Sequence, residues 1–306
     1  VNNRPLILYH ANCPDGFCAA WVAHQKFGDD ADYVPVSYGQ PPPDVGGRRV
    51  YILDFSYKRE VMRQLMSSAM FVTVLDHHKT AKAELAGIVD EFIMRPDLIA
   101  NPPGSELPFV VFDMEKSGAR LAWEHFFPGE PAPWLVDYTE DRDLWRWQLR
   151  NSREINSALS SYPWTFALWD RFATECWASD YLGRNWDSVL AEEGKHIERY
   201  KAQQVDEICS RAREIQIDGH KILAVNTSVQ FSEVAGKLAE GRPFGAAWFV
   251  RADGKRQWSL RSRDGGVDVS EIAKQRGGGG HRNAAGFEED EAVLFGSRAV
   301  EREEFE

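Results

Sequence analysis

Three short apolar runs, each ending on side chains that can bind a metal, constrain this chain more than any other feature. Leu6-Ile7-Leu8-Tyr9 runs into His10, Val50-Tyr51-Ile52-Leu53 into Asp54, and Phe71-Val72-Thr73-Val74-Leu75 into Asp76-His77-His78. Between them lie an amphipathic stretch from Phe17 to Phe27, a strand-like run from Tyr33 to Val36 and a helix-like stretch from Lys58 to Ala69. The loop Gln40-Pro41-Pro42-Pro43-Asp44 breaks the series. Continuous apolar runs alternating with helices predict βαβ units and a mostly parallel sheet flanked by helices. Open sheets of this class bind ligands beyond the carboxyl ends of their strands. If the three runs lie parallel, their endings meet at one edge.

The rest of the chain divides by composition. Trp134 to Trp186 is helical in character and crowded with tryptophan. At helical spacing Trp134, Trp145, Trp147, Trp164, Trp169, Trp177 and Trp186 read as packing rather than as base-stacking platforms, and none is assigned to a site. Asp187 to about Glu214 reads as one long polar helix. Strand-like Lys221 to Val225, helix-like Val234 to Leu238, and the runs Ala246–Val250 and Gln257–Leu260 follow; the last two flank a hairpin signature, Ala252-Asp253-Gly254-Lys255. Ile272 to Gln275 then leads into Gly277-Gly278-Gly279-Gly280-His281. The expected organisation is α/β, with a metal-binding catalytic domain over 1–186, a connector helix over 187–215 and a smaller α/β domain over 216–306. The charged tail from Val300 to Glu306 is expected to fray.

Composition narrows the partners. With 47 acidic against 36 basic residues the net charge is −11, the wrong sign for a broad footprint on long nucleic acid. A small nucleotide or a short single-stranded oligonucleotide suits this balance better than a long duplex. No apolar stretch is long enough to cross a bilayer, and no basic segment followed by an apolar core opens the sequence. Cys13, Cys18, Cys176 and Cys209 show neither zinc spacing nor a disulfide framework. A reducing, cytoplasmic location is expected.

Imidazole and carboxylate together suit Mn²⁺, Zn²⁺ or Fe²⁺. A pair of such ions about 3.5–4 Å apart can polarise a phosphoryl oxygen and activate a water, and a carboxylate between them keeps the two cations close. Asp54, ending the presumed central strand, is the candidate bridge. Taken singly, His10 could be an ordinary surface or core histidine, and Asp54 could cap the helix that starts near Tyr57. The Asp76-His77-His78 triplet after an apolar run has little structural purpose, and the three endings together favour a metal centre.

These residues carry a resemblance. Tyr9-His10-Ala11-Asn12-Cys13-Pro14-Asp15-Gly16, Leu53-Asp54-Phe55-Ser56, Leu75-Asp76-His77-His78, Glu140-Asp141-Arg142-Asp143 and Gly277-Gly278-Gly279-Gly280-His281-Arg282-Asn283-Ala284-Ala285-Gly286-Phe287 resemble the motifs of the DHH phosphoesterase superfamily, in order, with a DHHA1-type C-terminal domain. The resemblance runs from residue 6 to residue 287. It implies manganese-dependent hydrolysis of a phosphoester or phosphoanhydride, as in the family's exonucleases, oligoribonucleases, bisphosphonucleoside phosphatases, cyclic-dinucleotide phosphodiesterases and pyrophosphatases. By motif, His10, Asp15, Asp54, His77 and Asp141 would ligate two divalent ions, Mn²⁺ foremost, with Mg²⁺, Zn²⁺ and Co²⁺ as alternatives. Asp76 would fix the tautomer of His77, and His78 would meet the substrate phosphate or leaving group. Asp143 is the second carboxylate offered by the fourth motif; its other reading is a helix cap.

One position departs from the family pattern. Aligning Asp15-Gly16 with the motif puts Cys13 where an aspartate is usual, with His10 one place out of step. Cys13 is then either a thiolate ligand or an inert buried thiol, with Asn12 or water as the other candidates to fill the gap, and the second ion is expected to bind more weakly. The glycine run reads either as a flexible loop or as a backbone cradle for an anion. In the second case Arg261, Ser262, Gly278, Gly279, Gly280, His281 and Arg282 would hold the substrate's phosphate or nucleotide. The leading expectation is cleavage of phosphodiesters in short oligonucleotides or in linear or cyclic dinucleotides, in a cleft between domains. The alternatives are a phosphatase or pyrophosphatase for a small phosphorylated compound, and a nucleotide-binding regulatory module without turnover. A homodimer is compatible with either.

Overall fold

The computed structural model describes residues 4–94, 108–174, 186–263 and 265–290. Two compact units make up the chain, Val1–Arg199 and Tyr200–Glu306. Trp177, Cys176 and the tail from Val300 fall outside the described residues.

The first unit is built on a parallel sheet in which the four predicted runs are joined by a fifth strand that the sequence reading does not predict. β1 (Leu6–His10), β2 (Asp32–Val36), β3 (Arg49–Leu53), β4 (Phe71–Asp76) and β5 (Phe109–Phe112) lie in the order β2-β1-β3-β4-β5. All four pairings are parallel. Side chains on a strand alternate between faces, and here both faces are apolar. Ile7, Tyr51, Leu53 and Leu75 enter one core together with Phe17, Trp21 and Leu121. Leu6, Leu8, Val50, Ile52, Val72 and Val74 enter the other with Met62 and Leu65. A sheet buried on both sides requires continuous apolar runs, which is why unbroken runs rather than alternation mark these strands.

Helices α1 (Pro14–Phe27), α5 (Gly118–Phe126), α6 (Trp134–Asp143), α7 (Ser152–Ser161) and α8 (Phe166–Thr174) contribute to the first core. Helix α2 (Arg59–Ser68) contributes to the second, while the short helices α3 (Lys79–Glu84) and α4 (Ile88–Met94) follow β4. α1 opens with Pro14 in its first turn, where the missing N–H costs nothing. Ser117 caps α5, its hydroxyl accepting from the Arg120 N–H at 3.1 Å. The strand order reverses direction of growth on either side of β1, so the β1–β3 boundary is a switch point, and the crevice above it opens at His10 and Asp54.

Helix α9 (Trp186–Cys209) contains the boundary between the units. The polar pattern extends this helix to about Glu214, but Arg213 already pairs with Ala224 in an antiparallel ladder. In the second unit β6 (Arg213–Ile217), β7 (His220–Asn226), β8 (Gly245–Val250), β9 (Lys255–Arg261), β10 (Gly279–His281) and β11 (Ala284–Asp290) form a mixed sheet in the order β10-β11-β9-β8-β7-β6. Helices α10 (Phe231–Leu238) and α11 (Val269–Gln275) pack on it. No helix among the described residues is long and apolar enough to cross a membrane.

Two glycines give opposite expectations for the same substitution. A Cβ on Gly194 in α9 would stand 1.8 Å from the Glu154 carbonyl oxygen, whereas one on Gly236 in α10 would meet nothing within 4 Å. Gly194→Ala should therefore destabilise the protein by about 2 kcal/mol through overpacking. Gly236→Ala should stabilise it by about 0.5–1 kcal/mol through helix propensity. Paired denaturant melts check both signs.

Candidate metal centre

The three predicted strand ends converge. His10 closes β1, Asp54 follows β3, and His77 and His78 follow Asp76 at the end of β4. Asp54 takes a left-handed backbone conformation, φ +62°, while its N–H donates to the Leu75 carbonyl at 2.9 Å. That turn lifts its carboxylate off the sheet edge between its neighbours. Oδ1 lies 3.0 Å from His77 Nε2, and Oδ2 lies 3.5 Å from His10 Nδ1.

Asp15 arrives from the first turn of α1. Its carboxylate accepts the first amides of α5, from Gly118 at 2.6 Å and Ala119 at 2.9 Å, which anchors it at a helix N-terminus. Oδ2 also stands 3.6 Å from His77 Nε2. Gly118 is indispensable to this arrangement, because a Cβ there would come within 2.6 Å of Asp54 Cβ. Gly16 is similar; its Cβ would lie 2.3 Å from the His10 carbonyl oxygen. Residue type alone singles out neither Gly16 nor Gly118, since small residues show their purpose only against a neighbour.

The two carboxylates of Asp141-Arg142-Asp143 part company. Asp143 Oδ2 lies 3.4 Å from His77 Nε2. Asp141 instead receives the Gln148 N–H on Oδ1 at 2.8 Å and the Leu149 N–H on Oδ2 at 3.3 Å. The geometry therefore brings Asp143 to the cluster, and gives Asp141 a loop to hold. Asp76 also differs from expectation. Its Oδ1 accepts the backbone N–H groups of His77 at 2.7 Å and His78 at 3.1 Å, and it meets the His78 ring at Nδ1, 2.7 Å away. Ser56 donates to its other oxygen at 2.5 Å. The ring that Asp76 orients is that of His78.

One imidazole nitrogen, His77 Nε2, thus faces three carboxylates, from Asp54, Asp143 and Asp15. Asp15, Asp54 and His77 are all but inaccessible to solvent. Burial, together with the Asp54 and Asp143 charges, pushes the Asp15 carboxyl well above the usual range. Burial likewise raises Asp143. For Asp54 burial acts in the same direction, but the His10 and His77 rings overcome it and hold the group well below the ordinary carboxylate range. Burial opposes protonation of His77, and the Asp143, Asp54 and Asp15 charges reverse that, leaving it well above an ordinary histidine. Among the described residues, Asp54 Oδ2, Asp143 Oδ2 and His10 Nδ1 are buried without a hydrogen-bond partner. Buried carboxylates gathered at such distances are stabilised either by protonation or by a cation.

The donor set fits two. His10, Cys13 and Asp54 each offer a ligand atom within 4.8 Å of the others, and so do Asp15, Asp54 and His77. Asp54 belongs to both sets, as a bridging carboxylate must. Burial and the charges of Asp54, Asp143 and Asp15 push the Cys13 thiol well up, so that it is neutral unless a cation sits beside it.

In the second unit the predicted phosphate-holding residues also gather. Across β9, β11 and β10, Arg261 stands opposite Ala284 and Ala284 opposite His281. Directly opposed residues share a face, so a guanidinium and an imidazole flank a small side chain. Arg261 is steadied by the Ser232 hydroxyl at 2.7 Å. Ser262 Oγ lies 3.2 Å from Asn283 Oδ1, and Arg282 donates to the Gly266 carbonyl at 2.8 Å. The glycine run is not a loose loop, since Gly279 and Gly280 lie in β10. Cβ atoms at Gly278 and Gly280 would approach the Gly286 and Ala284 carbonyl oxygens to 2.1 and 2.5 Å. Close strand pairing by itself requires glycine here.

A family profile described as the DHHA1 domain matches residues 220–295. An uncharacterized protein, R106, of Acanthamoeba polyphaga mimivirus is 28% identical, the match covering 92% of this chain and 66% of that protein. The oligoribonuclease NrnB of Bacillus subtilis is 26% identical over 91% of this chain and 71% of its own length. Among solved structures, RecJ of Thermus thermophilus in complex with Mn²⁺ aligns with 95% of this chain and 50% of that one, at 17% identity and a TM-score of 0.48.

The division between Asp141 and Asp143 can be tested directly. Asp143→Ala should weaken Mn²⁺ binding by more than about tenfold in a calorimetric titration, because even residues outside the ligand shell cost 10–100-fold. Asp141→Ala should act mainly on stability, by about 1–3 kcal/mol, since it strands loop amides. The opposite pattern would make Asp141 the ligand. In the unsubstituted protein the titration should resolve two unequal affinities, the weaker on the His10 side, where a neutral thiol stands in place of a carboxylate.

Proposed function

Because the chain belongs to the DHH phosphoesterase superfamily, we propose that it hydrolyses phosphodiester bonds of short oligonucleotides or of linear or cyclic dinucleotides. The observation that carries this reading is the sharing of Asp54 between two sets of ligand atoms. His10 and Asp54, with Cys13 beside them, would hold one divalent ion; Asp15, Asp54, His77 and Asp143 would hold the other. Mn²⁺ fits this mixture of imidazole and carboxylate, and Mg²⁺, Zn²⁺ and Co²⁺ are the competitors. When bound, such a pair activates water and neutralises charge on the phosphoryl group.

The chain's own residues supply the remainder. Asp54, rigidly turned at the end of β3, fixes the spacing of the two sites. Asp15 is locked by the α5 amides and so keeps its place whether or not a substrate is present. Burial disfavours a charged His78, but the Asp76 carboxylate 2.7 Å from Nδ1 reverses this and raises its pKa. A protonated His78 can donate to a non-bridging phosphate oxygen or to the leaving oxygen. The Arg261–Ala284–His281 row would hold a phosphate or nucleotide, the role sequence analysis gives to this domain. NrnB is by name an oligoribonuclease, which favours nucleotide substrates over pyrophosphate for this chain as well.

Incubation with Mn²⁺ and a panel of pAp, a short RNA, a cyclic dinucleotide and pyrophosphate tests the reading. The RNA or the dinucleotide should be cleaved fastest, and Asp54→Ala should abolish turnover of every member. Turnover confined to pAp or pyrophosphate would replace the diesterase with a phosphatase. Binding without any turnover would leave a nucleotide-binding module.

A further inference from the structure

One exposed aromatic ring packs against the buried cluster, and a second lies two residues along the chain from it. Tyr38 packs edge-on against His10, with ring centroids 4.9 Å apart. His10 then meets Asp54 at 3.5 Å, Asp54 meets His77 at 3.0 Å, and His77 meets Asp143 at 3.4 Å. Two residues past Asp143 stands Trp145. Tyr38 is 55% exposed and Trp145 is 47% exposed, although large aromatic rings are ordinarily covered.

Trp145 is held out by its backbone. It has φ +56°, and Trp147 has φ +52°, a conformation that bulky side chains avoid. The loop is pinned there by Asp141. Its carbonyl accepts from the N–H groups of Arg146 at 2.8 Å and Trp147 at 3.3 Å, while its carboxylate takes those of Gln148 and Leu149. Beneath, the Trp147 ring meets Trp145 edge-on at 5.1 Å and carries the Arg153 guanidinium 4.2 Å from its centroid. Backbone strain that presents an apolar ring to water works against folding, and it persists where a site uses it. The packing role expected for the tryptophans suits Trp169, which is 1% exposed, but not Trp145.

We propose that Tyr38 and Trp145 are stacking platforms for the two nucleobases on either side of the scissile phosphodiester. Every base offers a π-face, so such platforms select for nucleotides without selecting among them. They would make a substrate with a base on both sides of the cleaved phosphate, a dinucleotide or an oligonucleotide end, the preferred one over pyrophosphate or a simple phosphomonoester. The proposal rests on the phosphodiesterase reading and narrows its substrate.

The experiment compares a linear dinucleotide with its base-free analogue, the same sugar–phosphate diester without bases. Tyr38→Ala and Trp145→Ala should each lower the preference in kcat/KM for the dinucleotide by about 5- to 150-fold, the range expected for losing one stacked base. Tyr38→Phe and Trp145→Phe should retain most of it. Loss of both substrates in equal proportion, or no rescue by phenylalanine, would mean that the rings act through the fold, and would overturn the proposal. Calorimetric binding of the dinucleotide separates the two readings. Binding without hydrolysis, weakened in the alanine variants, would reject the enzyme and keep the platforms. Hydrolysis with binding unaltered in those variants would keep the enzyme and reject the platforms. A protein that neither bound nor cleaved the dinucleotide would lose both.

Discussion

The first unit is organised around one carboxylate placed between two imidazoles. Asp54 is 1% exposed, sits on a left-handed backbone, and directs one oxygen to His77 and the other toward His10. Each of these conditions works against folding unless something compensates, because an uncompensated buried charge costs several kcal/mol. His10 and His77 offset the burial of Asp54, while Asp15 and Asp143 crowd the same His77 ring nitrogen. The surroundings show how much is arranged for this purpose. Gly118 has no side chain so that α5 can approach Asp54, and the α5 amides then hold Asp15 in place. A cation between these groups would relieve repulsion that folding otherwise has to overcome, and ion binding would thereby stabilise the unit.

Much of this is legible in the sequence because a parallel sheet leaves a plain trace. With both faces buried, β1, β3 and β4 read as unbroken apolar runs, and the polar residue that ends each run marks the open edge. The strand β5 gives a weaker trace. It is four residues long, it pairs only with β4, and its residues are exposed or half-buried, so nothing sets it apart from a loop. The choice between Asp141 and Asp143 is beyond the sequence for a geometric reason. Residues two apart on a helix point about 200° from one another, so only one can face the cluster, and spacing does not say which. Asp76 poses the same difficulty across a bend, where its carboxylate reaches the ring of the second histidine and only the backbone of the first.

The glycine run shows how a motif can carry two demands at once. Sequence offers a choice between a flexible loop and a cradle for an anion. In the structure β10 lies so close to β11 that carbonyl oxygens occupy the space of any Cβ at Gly278 or Gly280. That packing is sufficient to account for glycine, and it also draws His281 into register with Ala284 and Arg261. A cradle for a phosphate here would be a row of side chains on a sheet face, with the glycines setting its depth rather than touching the anion.

The segment from Asp141 to Leu149 links the buried cluster to the exposed tryptophan. Asp143 faces the cluster, while Asp141, two residues back, spends its carbonyl and both carboxylate oxygens on the four amides from Arg146 to Leu149. Those hydrogen bonds fix the backbone in which Trp145 and Trp147 take left-handed conformations, and without them the chain would relax toward ordinary geometry. Asp143 and Trp145 are therefore set by the same turn of chain, at the end of α6. A loop tethered only at its ends could bring an aromatic ring near a phosphate, but it could not keep it there at a fixed offset. Here the offset is built into successive hydrogen bonds to a single residue, which makes Asp141 a positioning residue for whatever Trp145 meets.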